Sequence, residues 1–239
     1  MNEPQKPALV IKAVAPEAED LRLINQQAKV ELTAEEVYTF AVRLCDNEVD
    51  RDMERFPRKS LERLAELFLG KSGIFDHNWS ARGQAARLYR TEVVDEPDVT
   101  TQAGDPLSWL KGYAYMVRTE SNRDLIAEID GGIKREVSVG CAVARETCSI
   151  CGAAAGSCPH KRGGIYDGKL CFFDLEDPMD AYEWSFVAVP AQPQAGVVKS
   201  KRYGGCQRPQ EPQPRAGADD MLRMAEALQE QEERRYGGI

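Results

Sequence analysis

The sequence predicts an α+β fold: a strongly bent antiparallel sheet, closed or nearly closed into a β-barrel-like core, with two or three surrounding helices. Segments rich in β-branched and aromatic residues recur through the middle of the chain, as expected for strands. Two other segments place apolar residues at helical spacing. The chain has 239 residues, of which 42% are hydrophobic, so one sizeable core with tails is more readily built than two full domains.

The first half of the predicted domain reads as strand, helix, strand. Residues 36–44 form a strand that runs into an acidic turn. Residues 57–70 form an amphipathic helix that starts with a proline and stops at a glycine. Residues 73–82 give a short apolar approach and a polar turn around His77, and residues 84–94 return as a strand. The apolar face of the helix comprises Leu61, Leu64, Ala65 and Phe68.

The second half continues with one more helix and several strands. Its helix is predicted to begin with Ser121 as N-cap and to end at two glycines. The elements are, in chain order, a polar loop at 95–106, a strand at 109–119, a helix at 121–130, a strand at 134–147, and strands at 169–175 and 182–190.

Composition divides the chain into segments with different expected behaviour. The start is Glu- and Gln-rich with one candidate strand at 8–14, and the end shifts to Gln, Pro, Gly and basic residues before a charged helical pattern. The boundaries are 1–34 for the lead-in, 35–197 for the main domain with an insertion at 148–168, 198–218 for a flexible linker, and 219–239 for a charged C-terminal helix.

Charge and hydropathy exclude some classes of function. The net charge is −8 and the isoelectric point is about 5.0, so the electrostatic contribution that drives non-specific nucleic-acid binding is unfavourable. No run of 18 apolar residues and no secretory signal pattern is present in the sequence. We therefore expect a soluble intracellular protein with neither a nucleic acid nor a membrane as partner.

The cysteines suggest a metal site more than a disulfide framework. There are seven, an odd number, and four of them lie between Cys141 and Cys158. Cys141 and Cys171 flank the predicted insertion, and they are either spare ligands or, more plainly, buried strand cysteines.

One spacing within the insertion is characteristic of zinc. Cys148-x2-Cys151-x6-Cys158-x-His160 offers three thiolates and an imidazole, and zinc binds four such ligands in a tetrahedron. Because these ligands leave no open coordination position, the Zn²⁺ is expected to be structural. The alternative is a loop of reduced, free cysteines.

A serine and a histidine offer the parts of a nucleophilic pair. Serine hydrolysis requires a base within hydrogen-bond reach of the hydroxyl and a third group that orients the base. The chain has two histidines, and His77 stands between Asp76 and Asn78, while Ser138 lies in a predicted strand with Gly140 beyond it. Read alone, these residues are more plainly interpreted as an ordinary strand serine and a surface-turn histidine. No G-x-S-x-G elbow is present in the sequence.

Three segments carry a more specific pattern when they are read together. They are GIFDHNWSARGQAARLYRTEVV around His77, LIAEIDGGIKREVSVGCAV around Ser138, and AYEWSFVAVPAQPQA around Glu183. A histidine at a strand end, a serine in a strand of the type Val-Ser-Val-Gly, and a later strand E-x-S-x-V-x-x-P-A occur in this order. The pattern spans residues 35–197 and resembles the prohead proteases of tailed bacteriophages, whose fold is similar to that of the herpesvirus assembly proteases.

The resemblance implies a serine endopeptidase of phage prohead maturation. It makes Ser138 the nucleophile, His77 the base and Glu183 the third member, with N–H groups near Gly140 and Cys141 as the first candidate oxyanion donors. It also implies that scaffold and major capsid proteins are the partners and substrates, that copies self-associate, and that the protein acts in the host cytoplasm inside the assembling prohead. Cysteine-bearing insertions after the nucleophile strand resemble those of a subset of this family. The linker at 198–218 is then a candidate for self-cleavage.

The third member has alternatives that the sequence leaves open. Glu183 is either the orienting carboxylate or a strand residue that is solvated or paired with Arg145 or Arg135. Asp76, next to the histidine, is the fallback for the orienting role.

Three other functions compete with the protease. A catalytically inactive scaffold or assembly protein would keep the fold. A zinc-ribbon nucleic-acid module would use the same cysteines but would require a basic face, which the net charge of −8 disfavours. A metallohydrolase would require an open metal position and further histidine or carboxylate ligands.

Overall fold

The computed structural model describes residues 16–198. Within this range the fold is α+β, as predicted, and consists of one large sheet, three α-helices and a small two-stranded hairpin. The predicted strand at 8–14 and the predicted C-terminal helix at 219–239 lie outside the described residues, as does the linker beyond residue 198. No helix in the described part is long and apolar enough to cross a membrane.

The large sheet has eight strands in the order β10-β1-β5-β4-β3-β9-β2, with β6 paired to the other side of β9. It is mixed rather than antiparallel, because β2 and β3 both run parallel to β9. The sheet is not closed into a barrel. The strands are β1 Val37–Asp46, β2 Glu54–Arg55, β3 Ser72–Phe75, β4 Ala86–Thr100, β5 Pro106–Val117, β6 Val137–Cys148, β7 Ile165–Tyr166, β8 Lys169–Leu170, β9 Phe173–Phe186 and β10 Gly196–Val198.

The helices are α1 Ala18–Gln27, α2 Arg58–Phe68 and α3 Arg123–Asp130. Helix α2 has the apolar face expected from the sequence, and its Leu61, Leu64 and Phe68 side chains are fully buried. They pack into the main core, which also contains Trp184 of β9. Gly73 of β3 is required there, because a Cβ at this position would lie under 3.0 Å from the indole of Trp184.

Two strand predictions differ from the structure. The polar stretch 95–106 is a loop only at 101–105, because β4 continues to Thr100 and pairs with β5 as a long hairpin. The two strands of the hairpin satisfy each other's backbone hydrogen bonds, so this segment is a strand although its side chains are polar. The loop predicted from composition was therefore wrong for residues 95–100. The predicted strands 169–175 and 182–190 are instead a short β8 and one continuous β9, which passes Asp177 in a left-handed conformation at φ 51°.

The lead-in contributes to the fold more than the sequence indicated. Helix α1 places Ile24, which is fully buried, in a second cluster with Val37, Tyr89 and Tyr115. The few apolar residues of α1 do not form a clear stripe in the sequence, so the sequence did not predict this helix. Its position is determined by packing against the rest of the fold.

Candidate functional site

Strand β9 brings the three segments of the sequence pattern together. Its neighbours there are β3 on one side and β6 on the other. Ser185 of β9 is the register partner of both Ser138 and Ile74, and Glu183 is the partner of Gly140. Since side chains alternate along a strand, Ser138, Gly140, Glu183 and Ser185 share one face of the sheet, and Trp184 points from the other into the core.

His77 sits on a tight turn just beyond the end of β3. Asp76 and His77 both have left-handed backbone angles, at φ 50° and 52°, a conformation that is uncommon for residues other than glycine. Two contacts to β9 hold the turn: the Asp76 N–H donates to the Phe186 carbonyl at 3.0 Å, and the His77 N–H donates to Ser185 Oγ at 3.1 Å. Such conformations concentrate at functional sites, where the surroundings enforce them.

The imidazole of His77 contacts the carboxylate of Glu183. Its Nδ1 lies 2.8 Å from Glu183 Oε1, and the His77 side chain is 42% exposed. Glu183 is itself only 4% exposed, and its other oxygen, Oε2, accepts a hydrogen bond from Ser185 Oγ at 2.6 Å. Both oxygens of this buried carboxylate are therefore satisfied, as burial of a charge requires.

These contacts decide between the alternatives for the third residue. Arg145 pairs with Glu176 and Asp177, and Arg135 pairs with Glu136, so neither arginine is the partner of Glu183. Asp76 is exposed, and it is Glu183 that contacts the ring of His77. The carboxylate that contacts the His77 ring is therefore that of Glu183.

Gly140 leaves the space that the Glu183 carboxylate fills. A Cβ built at Gly140 would lie under 3.0 Å from Glu183 Oε1, the same oxygen that contacts His77. Carboxylate and glycine are register partners, so the absence of a side chain on β6 lets the acid lie flat against the neighbouring strand. The glycine therefore shapes the acid's position, a role that the sequence did not reveal.

Ser138 lies on the same face as the pair but is not bonded to it. Its side chain is half-buried, and within residues 16–198 no hydrogen bond joins Ser138 Oγ to His77. It stands two residues from Gly140 along β6, about 7 Å by strand geometry. Catalytic hydrogen bonds often become well aligned only in the complex with substrate.

Ser185 is a site residue that the sequence analysis did not single out. It is fully buried and links both parts of the pair, donating to Glu183 and accepting from the His77 N–H. The available clue was its spacing, because residues 183 and 185 are two apart in a strand and so must share a face.

The second predicted site also comes together. The ligand atoms of Cys148, Cys151, Cys158 and His160 all lie within 4.8 Å of one another and could hold a metal ion. His160 Nδ1 lies 3.7 Å from Cys148 Sγ and 3.3 Å from Cys151 Sγ.

The backbone of the insertion forms this cluster through a tight turn after β6. The Gly152 N–H donates to the Cys148 carbonyl at 2.8 Å, and Gly152 has a left-handed φ of 72° that a side chain would strain. His160 packs edge-on against Tyr166 of β7, with ring centroids 4.5 Å apart.

The remaining cysteines near the insertion divide into two kinds. Cys171 is fully buried, with its Sγ 3.8 Å from that of Cys148, so a fourth sulfur adjoins the three in the cluster. Burial raises the pKa of the Cys171 thiol to about 12. Cys141 lies within β6 and packs against the main core, and burial raises its pKa to about 11. All six cysteines in the described range are free thiols.

One arginine ties the insertion to the sheet. Arg162 donates from Nη2 to Glu54 of β2 and to Glu146 of β6, at 2.7 Å in each case, and its guanidinium lies over the ring of Phe173 at 4.8 Å. The cysteine-bearing insertion is thus attached to both strands that enclose the start of β9.

Comparison with known proteins gives no family for the chain: no family model matches it, and neither a curated protein nor a solved structure does.

Proposed function

We propose that the chain is a serine endopeptidase with Ser138 as nucleophile, His77 as general base and Glu183 as orienting carboxylate. The observation that carries the proposal is the contact of His77 Nδ1 with a buried glutamate at 2.8 Å, on the sheet face that also bears Ser138. A carboxylate on Nδ1 fixes the tautomer in which Nε2 can accept a proton.

In the proposed mechanism each residue has one task. Ser138 Oγ attacks the peptide carbonyl while His77 Nε2 takes its proton and later delivers it to the leaving amine. Glu183 stabilises the imidazolium that forms between these steps. Ser185 holds the second oxygen of Glu183 and the backbone of His77, so the pair is oriented before substrate arrives.

Strand β6 offers an edge along which an extended substrate can lie. Among the described strands it is paired in a ladder only with β9, and its other edge carries isolated bridges at Glu136 and Thr147. Between these bridges no strand of residues 16–198 pairs with that edge of β6, although the Val137 N–H, next to Ser138, donates to the Ala195 carbonyl at 3.4 Å. Addition of a peptide strand to such an edge supplies main-chain hydrogen bonds, which suits an enzyme that cuts exposed linkers.

The biological setting in this proposal is the maturing phage prohead. The sequence resemblance supports scaffold and major capsid proteins as substrates, with cleavage of its own linker at 198–218 as a further activity.

The single bridge between Glu136 and Gly196 links the start of β6 to β10, which supports a barrel-like curvature of the sheet.

We further propose that the cysteine cluster binds a structural Zn²⁺. Zinc–sulfur bonds of about 2.3 Å and zinc–nitrogen bonds of about 2.0 Å place neighbouring ligand atoms roughly 3.5–3.8 Å apart in a tetrahedron. The distances of 3.3 and 3.7 Å from His160 Nδ1 to two sulfurs are close to this range.

A second candidate is an assembly protein that keeps the fold without the activity. The observation that favours it is the missing hydrogen bond between Ser138 and His77 in the described structure. The two candidates differ in the reactivity of the serine.

A fluorophosphonate probe tests that reactivity without knowledge of the substrate. The endopeptidase is expected to form one covalent adduct, which peptide mapping places on Ser138, and to lose the adduct in Ser138→Ala and His77→Ala. Incubation with the scaffold and capsid proteins of its own prohead should then create new termini that Ser138→Ala does not create. Absence of both adduct and cleavage in a folded protein would support the assembly protein.

A further inference from the structure

Two exposed aromatic side chains contact each other beside the candidate catalytic pair. Trp79 is 71% exposed and Tyr182 is 43% exposed, and their ring centroids lie 5.3 Å apart at an angle of 52°. Trp79 follows His77 by two residues, and Tyr182 directly precedes Glu183. Large exposed aromatic residues are uncommon on surfaces that bind nothing and are enriched where proteins bind partners.

A β-bulge brings Tyr182 to this position. Gly140 pairs with Glu183 and the next residue, Cys141, pairs with Ala181, so Tyr182 is the extra residue on β9. Bulges redirect side chains and occur next to active sites. Without the extra residue, Tyr182 would take the face opposite Glu183, where the core lies.

The turn that carries Trp79 is held by its own backbone. The Asn78 N–H donates to the Phe75 carbonyl at 2.9 Å, and the Ser80 N–H donates to the Asn78 carbonyl at 2.7 Å. The residues on both sides of Trp79 are therefore fixed, and the indole is presented from a preformed turn. A preformed contact loses little conformational entropy when a ligand binds.

The charges around the pair discriminate between ligands. Asp76 lies exposed in the same turn, and the Asp180 side chain is 52% exposed, although Lys71 pairs with it at 3.3 Å. An acidic side chain would be repelled by this surface, whereas an apolar one would cover the two rings and gain from burial.

We propose that Trp79 and Tyr182 form an apolar subsite of the enzyme, which binds a leucine, methionine or phenylalanine side chain of the substrate close to the scissile bond. This inference rests on the proposed endopeptidase function. It gives that function a substrate class: extended segments with a bulky apolar residue next to the cut, and without acidic residues there.

The first test is the cleavage preference of the enzyme. Wild type is incubated with a peptide library of randomised sequence, and the residues around each new terminus are counted. We expect one position to be enriched in Leu, Met or Phe and depleted in Asp and Glu. Trp79→Ala and Tyr182→Ala should each lower kcat/KM for such peptides about 10-fold, the scale of lost apolar pocket contacts, and should leave peptides with alanine at that position within about 2-fold.

Two control variants separate a subsite from a general effect. Trp79→Phe keeps an aromatic ring and should retain the preference. Ile133→Ala removes a side chain that is just as exposed, at 73%, but lies after α3, and it should behave as wild type. An unchanged preference in both Trp79→Ala and Tyr182→Ala would overturn the subsite while leaving the endopeptidase intact.

A binding measurement keeps the subsite testable if no cleavage occurs. In Ser138→Ala, the emission of the exposed Trp79 should respond to a leucine-containing peptide and not to its alanine counterpart, and Trp79→Phe should abolish the response. The other two tryptophans remain in Trp79→Phe: Trp184 is fully buried, and Trp109 is partly buried in β5, where its Nε1 donates to Glu96. A response that disappears in Trp79→Phe is therefore assigned to Trp79. Selective binding by Ser138→Ala, together with no cleavage by folded wild type, would refute the endopeptidase and retain the apolar site, whereas equal responses to both peptides would refute the site.

Discussion

The two candidate sites differ in how the chain assembles them. The cysteine cluster is made within one loop, from Cys148 to His160, and its ligands are fixed by spacing and a few turns. The His77–Glu183 pair joins residues 106 positions apart and depends on the register of β9 with both β3 and β6. A local site can be recognised from a motif, whereas a long-range site can be recognised only when several strands are placed together.

The same contrast predicts how each site responds to damage. The long-range site is set by close packing between strands, so small changes of shape should act directly on chemistry. The local site braces a loop, so its loss should act first on stability and only through disorder on activity. The following experiments test this difference between the two sites, in order of decreasing expected effect.

The largest effect is expected from the reacting groups. Ser138→Ala and His77→Ala should each lower kcat by about 10⁴-fold or more while the melting temperature stays near that of wild type, because the members of a catalytic unit have no substitutes. Glu183→Gln should cost less, since the ring keeps a partner but loses the charge that supports its protonated form. Cleavage assays with thermal melts measure both quantities. Wild-type rates in Ser138→Ala would refute the nucleophile assignment.

A methyl group at Gly140 should damage the long-range site nearly as much. In Gly140→Ala the new Cβ would overlap Glu183 Oε1, so the carboxylate must leave the His77 ring. We expect kcat to fall about 100-fold, the cost of a small misplacement in an active site.

The double variant shows whether that damage passes through the carboxylate. Adding Gly140→Ala to Glu183→Ala should cost almost nothing further, since the group that clashes is gone. Additive losses in this cycle would mean that Gly140 acts on another part of the site, such as the backbone beside Ser138.

The metal site should show the opposite balance of effects. Cys151→Ser should release zinc, lower the melting temperature and reduce cleavage moderately, because a structural metal contributes folding free energy. Cys141→Ser is the matched control off the cluster and should retain one zinc per chain by elemental analysis. Cys171→Ser should also retain it if the four predicted ligands fill the shell. If Cys171→Ser loses zinc and Cys158→Ser retains it, the fourth ligand is Cys171 and not Cys158.

The smallest effect on chemistry is expected from Ser185. Ser185→Ala leaves Glu183 Oε2 and the His77 N–H without their partner, so the free energy of unfolding should fall by about 1–3 kcal/mol. Denaturant unfolding measures this. A kcat that stays at the wild-type value in folded Ser185→Ala would show that Ser185 contributes stability but does not orient the His77–Glu183 pair.

The sequence predicted what local patterns determine. The helix at 57–70, the strand at 36–44 and the cluster of three cysteines and one histidine follow from periodicity and spacing, and the structure contains α2, β1 and this cluster. It missed what depends on partners far along the chain. The continuous β9 with its bulge at Tyr182 and the parallel pairing of β3 with β9 follow from register, which no single segment encodes.

The close fit of Gly140 against Glu183 also has an evolutionary consequence. The two positions cannot vary independently, because any side chain at 140 competes with the acid for one volume. A lineage could gain a residue at 140 only after shortening or replacing the acid at 183, and would have to recruit another partner for the histidine along the way. In related chains, glycine and glutamate should therefore be inherited together or exchanged together.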